Sequence, residues 1–237
     1  MRRPVPTWNE AVTDRNGEAH RLRAYALYVG LLWQYATRHD RLGTLRLAEP
    51  TLGSPMPVWL RGRLISQDLA MAALDLNAMA GVVPLPKVRR VLEIGAGYGR
   101  LAYLFASLFP SVEYTITDIS PALAIAKNYL PAVTPSGKFS FVLPHELDAM
   151  PDGSFDLIIN VSSLDEMPPA VQERYLQRIG RLGSSFLYLS GHHQLKDRPG
   201  LDRLPYPSAW QLRSSRSHEI FPLWVEKVFA LSGARNF

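Results

Sequence analysis

The 237-residue sequence contains no cysteine, which excludes disulfide bonds, a thiol nucleophile and a thiolate metal site. It also lacks a long hydrophobic run. The longest apolar stretch, residues 24–36, is interrupted by Gln34 and is too short to span a bilayer. The charged start at Arg2 and Arg3 has no apolar segment behind it, as a secretory signal would require. These absences predict a soluble, cytoplasmic protein without a membrane partner.

Positive charge is concentrated in the N-terminal part of the chain. Residues 1–90 hold 13 Lys/Arg and 7 Asp/Glu, whereas residues 91–237 hold 13 and 14. Such a basic segment could touch nucleic acid or an anionic carrier. The arginines are dispersed, however, and no basic run contains interleaved aromatic residues, so a solvated helix face is the commoner explanation. We predict no nucleic-acid partner.

The composition, 47% hydrophobic and 20% charged, suits one α/β domain with an added element. Apolar spacing predicts a helix over residues 18–38. Residues 39–62 are rich in Gly and Pro and are expected to form a long loop. A second helix is predicted over residues 65–80, with Ser66 as its N-cap and Gly81 just beyond its end.

From Val91 onward, predicted strands alternate with predicted helices, which indicates a doubly wound, mainly parallel sheet. The expected strands are residues 91–94, 113–117, 138–143, 155–161 and 185–190. Helices are expected over residues 101–109, from a Ser120 cap to a point before Pro131, and over 171–182. In the tail, we expect a strand over 210–215 and a helix over 223–231.

A glycine-spaced turn follows the first of these strands, in the segment Val91-Leu92-Glu93-Ile94-Gly95-Ala96-Gly97-Tyr98-Gly99-Arg100. Glycine lets backbone N–H groups and a helix N-terminus approach a ligand closely, so this turn predicts a nucleotide-cofactor site. A dinucleotide site would require a third glycine at the position of Arg100. That difference argues against an NAD oxidoreductase.

The turn resembles the first motif of class I S-adenosylmethionine (SAM) dependent methyltransferases. The resemblance implies a Rossmann-like fold in which Gly95, Ala96, Gly97 and Gly99 pass under the methionine and ribose parts of SAM, while Glu93 helps to place the methionine end. Asp118 ends the next strand, where a carboxylate can accept both ribose hydroxyls. Its neighbour Ile119 is expected to lie against the adenine. The product would be S-adenosylhomocysteine.

Further cofactor contacts are expected from four other positions. After the third strand of this series, the resemblance implies an acidic residue that accepts the adenine amino group, and Glu146 with the Leu147 backbone is our choice. Asn160, at the end of the fourth strand, and Gln67, at a helix start, are also predicted to contact the cofactor. The segment from Asn160 lacks the Asn/Asp-Pro-Pro-Tyr/Phe motif of methyltransferases that act on nucleobase amino groups. Amino methylation of nucleic acid is therefore disfavoured.

Several segments more specifically resemble the proposed sugar O-methyltransferases of actinomycete antibiotic pathways. These are VLEIGAGYGRLAYLF, TITDISPALAIAKNYL, SSLDEM and residues 62–69. The resemblance implies methyl transfer to a hydroxyl of a small molecule, a sugar or a glycosylated natural product. The alternatives are N- or C-methylation of a natural product, and a SAM-binding protein that transfers no methyl group and has a regulatory or cyclisation role.

An O-methyl transfer requires a group that accepts the hydroxyl proton. The candidates at strand ends are Asp165, Glu166, His192 and His193, among which we predict His192 as the base, with Asp165 and Glu166 as further catalytic residues. The same residues could bind a divalent metal, but no fixed local spacing supports this and metal is not favoured.

The N-terminal helices are additions to the minimal methyltransferase fold. We therefore predict a helical lid or substrate-binding segment over residues 1–86 and a SAM-binding catalytic domain over 87–237. The sequence is compatible with a homodimer.

Overall fold

The computed structural model describes residues 18–53, 56, 58–194 and 200–231. Its helices are α1 (Glu18–His39), α2 (Gln67–Ala80), α3 (Arg100–Leu108), α4 (Ser120–Val133) and α5 (Pro169–Leu182). Its strands are β1 (Val58–Leu60), β2 (Arg63–Ile65), β3 (Arg90–Ile94), β4 (Glu113–Thr117), β5 (Lys138–Val142), β6 (Phe155–Val161), β7 (Gly183–His192), β8 (Gln211–Ser217) and β9 (Trp224–Ala230).

Seven strands form one sheet in the order β5-β4-β3-β6-β7-β9-β8. Strands β3 to β7 pair in parallel, and β9 runs antiparallel to both of its neighbours. The predicted doubly wound, mainly parallel sheet is therefore confirmed. The chain moves outward from β3 to β4 and β5 on one side and then returns to β6 on the other. Ligands bind at such a switch point, in the crevice at the carboxyl ends of the strands.

Helices cover both faces of this sheet. Side chains of α1, α2, α3 and α4 share one buried hydrophobic cluster with the strands, whereas α5 packs in a second cluster on the opposite face. Ser66 caps α2 as predicted, because its hydroxyl accepts the Leu69 amide at 3.0 Å. Within the described part of the chain, no helix combines the length and apolarity needed to cross a membrane.

The predicted loop over residues 39–62 contains regular structure. It holds a 3₁₀ turn, Thr44–Arg46, and strand β1, which pairs with β2 as a short antiparallel hairpin. The carboxylate of Asp40 organises the turn by accepting the backbone amides of Thr44 and Leu45 at 2.9 and 2.8 Å. The side chain of Asp40 thus supplies hydrogen-bond acceptors for backbone amides in a segment that is rich in Gly and Pro.

The predicted helix over residues 223–231 was wrong, because this segment forms strand β9. Its apolar residues, such as Val225, Val228 and Phe229, have helical spacing, and the charged Glu226 and Lys227 stand between them. In the structure β9 lies between β7 and β8 and both charged residues are buried. Lys227 pairs with Asp202 at 2.8 Å. A buried, paired charge in a strand has the same sequence pattern as a charge on the exposed face of a helix.

The boundaries of α4 also differ from the prediction. The helix continues through Pro131 to Val133, because a proline in the last turn removes only one backbone hydrogen bond. Its N-cap is Ile119 rather than Ser120, and Ile119 makes no side-chain cap.

Candidate functional site

The glycine turn joins β3 to α3 at the carboxyl edge of the sheet, and each of its glycines has a positive φ: 76° at Gly95, 58° at Gly97 and 95° at Gly99. A Cβ at Gly95 would come within 2.1 Å of the Ser163 hydroxyl, and one at Gly99 within 2.7 Å of Leu130. Around Gly97, by contrast, no heavy atom lies within 4 Å of such a position. The two outer glycines allow close packing, and the middle one leaves its outer face free for a ligand.

Asp118 stands beside this turn, at the end of β4. Its Oδ2 accepts the amide of Gly97 at 2.8 Å, and its Oδ1 accepts the amide of Ile119 at 2.7 Å. The side chain of Ile119 is 66% exposed. A carboxylate next to an uncovered aliphatic group suits a ribose diol followed by an apolar base, so these residues fit the nucleoside part of SAM.

Glu93 does not face this opening. It lies in β3 with 3% exposure and accepts the Tyr114 hydroxyl at 2.9 Å, and burial raises its pKa to about 8. Its predicted contact with the methionine end of SAM stays a prediction. In the described structure the carboxyl group supports the strand below the turn.

Asn160 is fully buried at the end of β6 and fastens the two central strands together. Its amide nitrogen donates to the Ile94 carbonyl at 2.8 Å and its amide oxygen accepts the Leu164 amide at 3.1 Å. Ser163 also donates to the Ile94 carbonyl, at 3.1 Å. The predicted cofactor contact of Asn160 remains a prediction, and the contacts seen here are those of a residue that positions the turn. The sequence analysis missed Ser163, whose only signal is its place after a strand end.

The other predicted cofactor residues occupy the rim of the crevice. Glu146 is exposed and accepts the Leu143 amide at 2.5 Å, which closes the turn after β5. Leu147 is buried, and its carbonyl accepts the Arg181 guanidinium at 2.7 Å. Gln67 is the half-buried first residue of α2. Their roles in binding the cofactor remain predictions.

Asp165 and His192 meet across two neighbouring strand ends. The buried Oδ2 of Asp165 accepts the backbone amide of His192 at 2.9 Å and lies 2.8 Å from its Nδ1. Because a carboxylate oxygen can only accept, Nδ1 of His192 carries a proton, and in the neutral ring the lone pair is therefore on Nε2. The imidazole is 30% exposed. This arrangement fixes the orientation of the imidazole at the carboxyl edge, and the predicted role of His192 as the base stays a prediction.

The remaining base candidates are not part of this pair. Glu166 is exposed on the 3₁₀ turn that buries Asp165, and the two adjacent carboxylates therefore point into different surroundings. His193 lies 3.8 Å from the partly exposed Asp202, which is an ion-pair distance and too long for a hydrogen bond. Of the predicted catalytic residues, the structure brings Asp165 and His192 together at 2.8 Å.

A second titratable cluster is buried under the sheet face that α2 covers. Ligand atoms of Asp75, His218 and Glu226 lie within 4.8 Å of one another, as a metal site would require. However, His218 Nδ1 accepts the amides of Ile220 and Phe221, each at 3.1 Å. The proton must then be on Nε2, which removes the lone pair that a metal would need. Asp75 and Glu226 are instead linked through the Tyr188 hydroxyl, at 2.7 and 3.1 Å, and His218 does not offer them or a metal a lone pair.

The buried acids predict a pH-dependent stability. Burial raises the pKa of Asp75 to about 7 and that of Glu93 to about 8, so both resist ionisation in the folded protein. Groups with a raised folded pKa stabilise at low pH and lose this effect as pH rises through the folded value. Burial lowers the pKa of His218 to about 4, and this group acts in the opposite sense, but only below about pH 6.5. Between pH 6.5 and 8 we therefore expect the melting temperature to fall.

Glu93→Gln should flatten this pH dependence, because glutamine can still accept the Tyr114 hydroxyl and does not ionise. Thermal unfolding at pH 6.5 and 8 measures the effect, which should amount to at least about 2 °C. Glu113→Gln, which changes an exposed residue of β4, is the matched control. An unchanged slope in Glu93→Gln would contradict the assignment.

A polar network that the sequence did not predict joins the N-terminal part to the glycine turn. Arg100, the first residue of α3, pairs with the buried Glu49 at 2.7 Å and donates from Nε to the Tyr98 hydroxyl at 2.9 Å. The same Glu49 accepts the Ser66 hydroxyl at 2.6 Å. Tyr98 in turn donates to Asp68 at 2.6 Å. These contacts connect the start of α2 to the glycine turn.

Comparison with known proteins agrees with this geometry. No curated protein sequence matches the chain. Among solved structures, a proposed sarcosine dimethylglycine methyltransferase from Galdieria sulphuraria has 14% sequence identity and a TM-score of 0.57, over 70% of this chain and 86% of that one. The cyclase SpnF has 17% identity and a TM-score of 0.51, over 69% of this chain and 82% of the other. These likenesses show a shared Rossmann-like methyltransferase fold.

Residues 92–183 match the family described as methyltransferase domain. This segment begins in β3 and ends at the start of β7, and it contains the glycine turn, Asp118 and Asp165. The match covers less than half of the chain, and it indicates a methyltransferase domain, which uses SAM as its methyl donor, over these residues.

Proposed function

We propose that this methyltransferase transfers a methyl group to a hydroxyl of a small molecule, and that the acceptor is a sugar or a glycosylated natural product. The observation that carries the proposal is the Asp165–His192 pair, since an oriented neutral imidazole is what a hydroxyl acceptor requires. A hydroxyl is a poor nucleophile until it loses its proton, whereas a neutral amine already carries a free electron pair.

In the proposed reaction, bound SAM supplies an electrophilic methyl group. Nε2 of His192 accepts the proton of the acceptor hydroxyl as the oxygen forms its new bond to carbon, and S-adenosylhomocysteine leaves with the electron pair of the broken sulfur–carbon bond. Asp165 holds the ring in the reactive tautomer and stabilises the imidazolium that forms. The positive φ of 48° at Ser162 turns the chain sharply after β6 and brings Asp165 under β7.

A small-molecule acceptor is supported by the aromatic surroundings of His192. The ring of Trp224 lies 5.3 Å from that of His192, and the rings of Phe221 and His218 pack against Trp224. Aromatic walls with a few placed polar groups are typical of small-molecule sites. Two other aromatic residues, Tyr206 and Trp210, pack against Phe229 and belong to the core.

The proposal is tested by measuring the transfer of a labelled methyl group from SAM to a panel of matched glycosides and aglycones. Methylation of a glycoside hydroxyl, with the aglycone left unmodified, is the expected result. Methylation at nitrogen or carbon would overturn the O-methyltransferase assignment. SAM binding without transfer to any acceptor would favour a regulatory or cyclisation role.

Replacing Asp118 with alanine should weaken SAM binding by roughly 1.5–3 kcal/mol, the usual contribution of hydrogen bonds to a charged group. The substitution also releases the amide of Gly97, so the turn itself loses a support. Calorimetric titration with SAM measures the change, and Asp118→Asn, which retains one acceptor oxygen, should lose less. Unchanged affinity in a folded Asp118→Ala protein would contradict the ribose assignment.

A further inference from the structure

A basic cavity lies in the N-terminal part of the fold, and none of its lining residues belongs to the carboxyl edge of the large sheet. Its volume is about 410 Å³, and its lining includes Trp33, Thr37, Asp40, Arg41, Arg46 and Arg63. A second cavity of about 400 Å³ adjoins it through Trp33 and Thr37 and adds Arg38 and Arg61. Residues 38–63 thus bring five arginines to one surface, with two acidic residues among them.

Both acidic residues are engaged inside the protein. Asp40 accepts the amides of Thr44 and Leu45, the Thr44 hydroxyl, and the Asn77 side-chain amide at 3.0 Å. Glu49 is buried against Arg100. Neither carboxylate can therefore neutralise the arginines of the basic cavity without giving up an existing partner.

The arginines of the basic cavity are positioned by local contacts. Arg46 lies across Gly43, with its Cδ 3.6 Å from the place that a Cβ on that glycine would take. Arg63 donates to the Leu47 carbonyl, and its Cζ lies 5.1 Å from the centre of the Trp33 ring. The backbone amide of Arg41 donates to Asn77 Oδ1 at 2.7 Å, which anchors the base of this side chain. These contacts hold the arginines in place without a ligand.

Within the described ranges, no carboxylate oxygen lies within 4.0 Å of the guanidinium groups of Arg41, Arg46 or Arg63. Guanidinium groups bind phosphate oxygens through paired N–H donors, and several of them around one cavity match a group with more than one negative charge. We propose that the basic cavity binds the phosphate or diphosphate group of a small metabolite, at a site separate from the methyl-transfer site.

Isothermal titration with inorganic pyrophosphate tests this proposal, with the ionic strength held constant by sodium chloride so that simple screening is the same throughout. The double variant Arg41→Gln/Arg46→Gln should bind at least about 10-fold more weakly than wild type. Both side chains are exposed and the backbone bond of Arg41 is retained, so the fold should be unaffected. Arg213→Gln, on the edge strand β8, is the charge-matched control and should bind like wild type.

A parallel titration with uridine diphosphate shows whether the diphosphate is bound alone or as part of a nucleotide. Tighter binding of the nucleotide than of pyrophosphate would identify a nucleoside diphosphate as the ligand, and equal binding would identify the diphosphate alone. Equal affinities in the double variant and in Arg213→Gln would overturn the proposal. So would a wild-type protein that binds an acidic peptide but not pyrophosphate, because the surface would then dock a macromolecule. SAM affinity in the double variant provides the folding readout and should equal that of wild type.

Discussion

Replacing His192 with alanine is expected to lower methyl-transfer turnover about 10²-fold or more, with little change in SAM affinity. The reason is geometric: Asp165 accepts the Nδ1 hydrogen bond, so Nε2 is the ring nitrogen that we expect to accept the hydroxyl proton. SAM itself is expected to bind at the glycine turn and Asp118, which the substitution does not touch. Steady-state rates with a glycoside acceptor, together with calorimetric SAM binding, measure both parts.

Three further variants make this prediction specific. Asp165→Asn should also lower turnover, because an amide no longer favours the Nδ1-protonated tautomer. Glu166→Gln should have a smaller effect, since Glu166 is exposed. His193→Ala is the matched control and should remain active. Near-normal rates in His192→Ala would mean that catalysis is by positioning alone, and loss of activity with EDTA that Mg²⁺ restores would replace the base with a metal.

Glu49→Gln is expected to lower the free energy of unfolding by about 3–5 kcal/mol, which is the usual cost of removing one member of a buried ion pair. The change leaves the guanidinium of Arg100 charged in an apolar setting, between the rings of Tyr98 and Tyr129. Arg100 opens α3 directly after the glycine turn, so a weaker pair should also loosen the cofactor site. Urea unfolding measures the stability, and SAM titration measures the second effect.

A surface ion pair provides the comparison. Asp152 is 79% exposed where it meets Arg181, so Asp152→Asn should leave stability close to wild type. A double-mutant cycle of Glu49→Gln with Arg100→Gln should show less than additive losses, because the second change removes the stranded charge. Equal losses in Glu49→Gln and Asp152→Asn would contradict a stabilising role for the buried pair.

The parts of the protein that local chain geometry controls could be predicted from the sequence. Only glycine adopts positive φ without strain, so the spacing at Gly95, Gly97 and Gly99 indicated a turn between a strand and a helix. Ser66 marked the start of α2 because its hydroxyl accepts an amide three residues further on. The strand over residues 155–161 was predicted with its observed bounds, because an apolar run between turn residues describes a buried parallel strand.

Tertiary structure alone decided which polar groups meet. Asp165 lies on the turn after β6 and His192 ends β7, with a helix between them in sequence, so only the pairing of these two strands brings the side chains to 2.8 Å. Glu49 lies in the N-terminal segment and pairs with Arg100 at the start of α3, far from it in sequence. Strand β9 was mistaken for a helix because its buried charges find partners in other elements, and no local pattern contains that information. Backbone conformation depends on neighbours in sequence, whereas a site and its paired charges depend on neighbours in space.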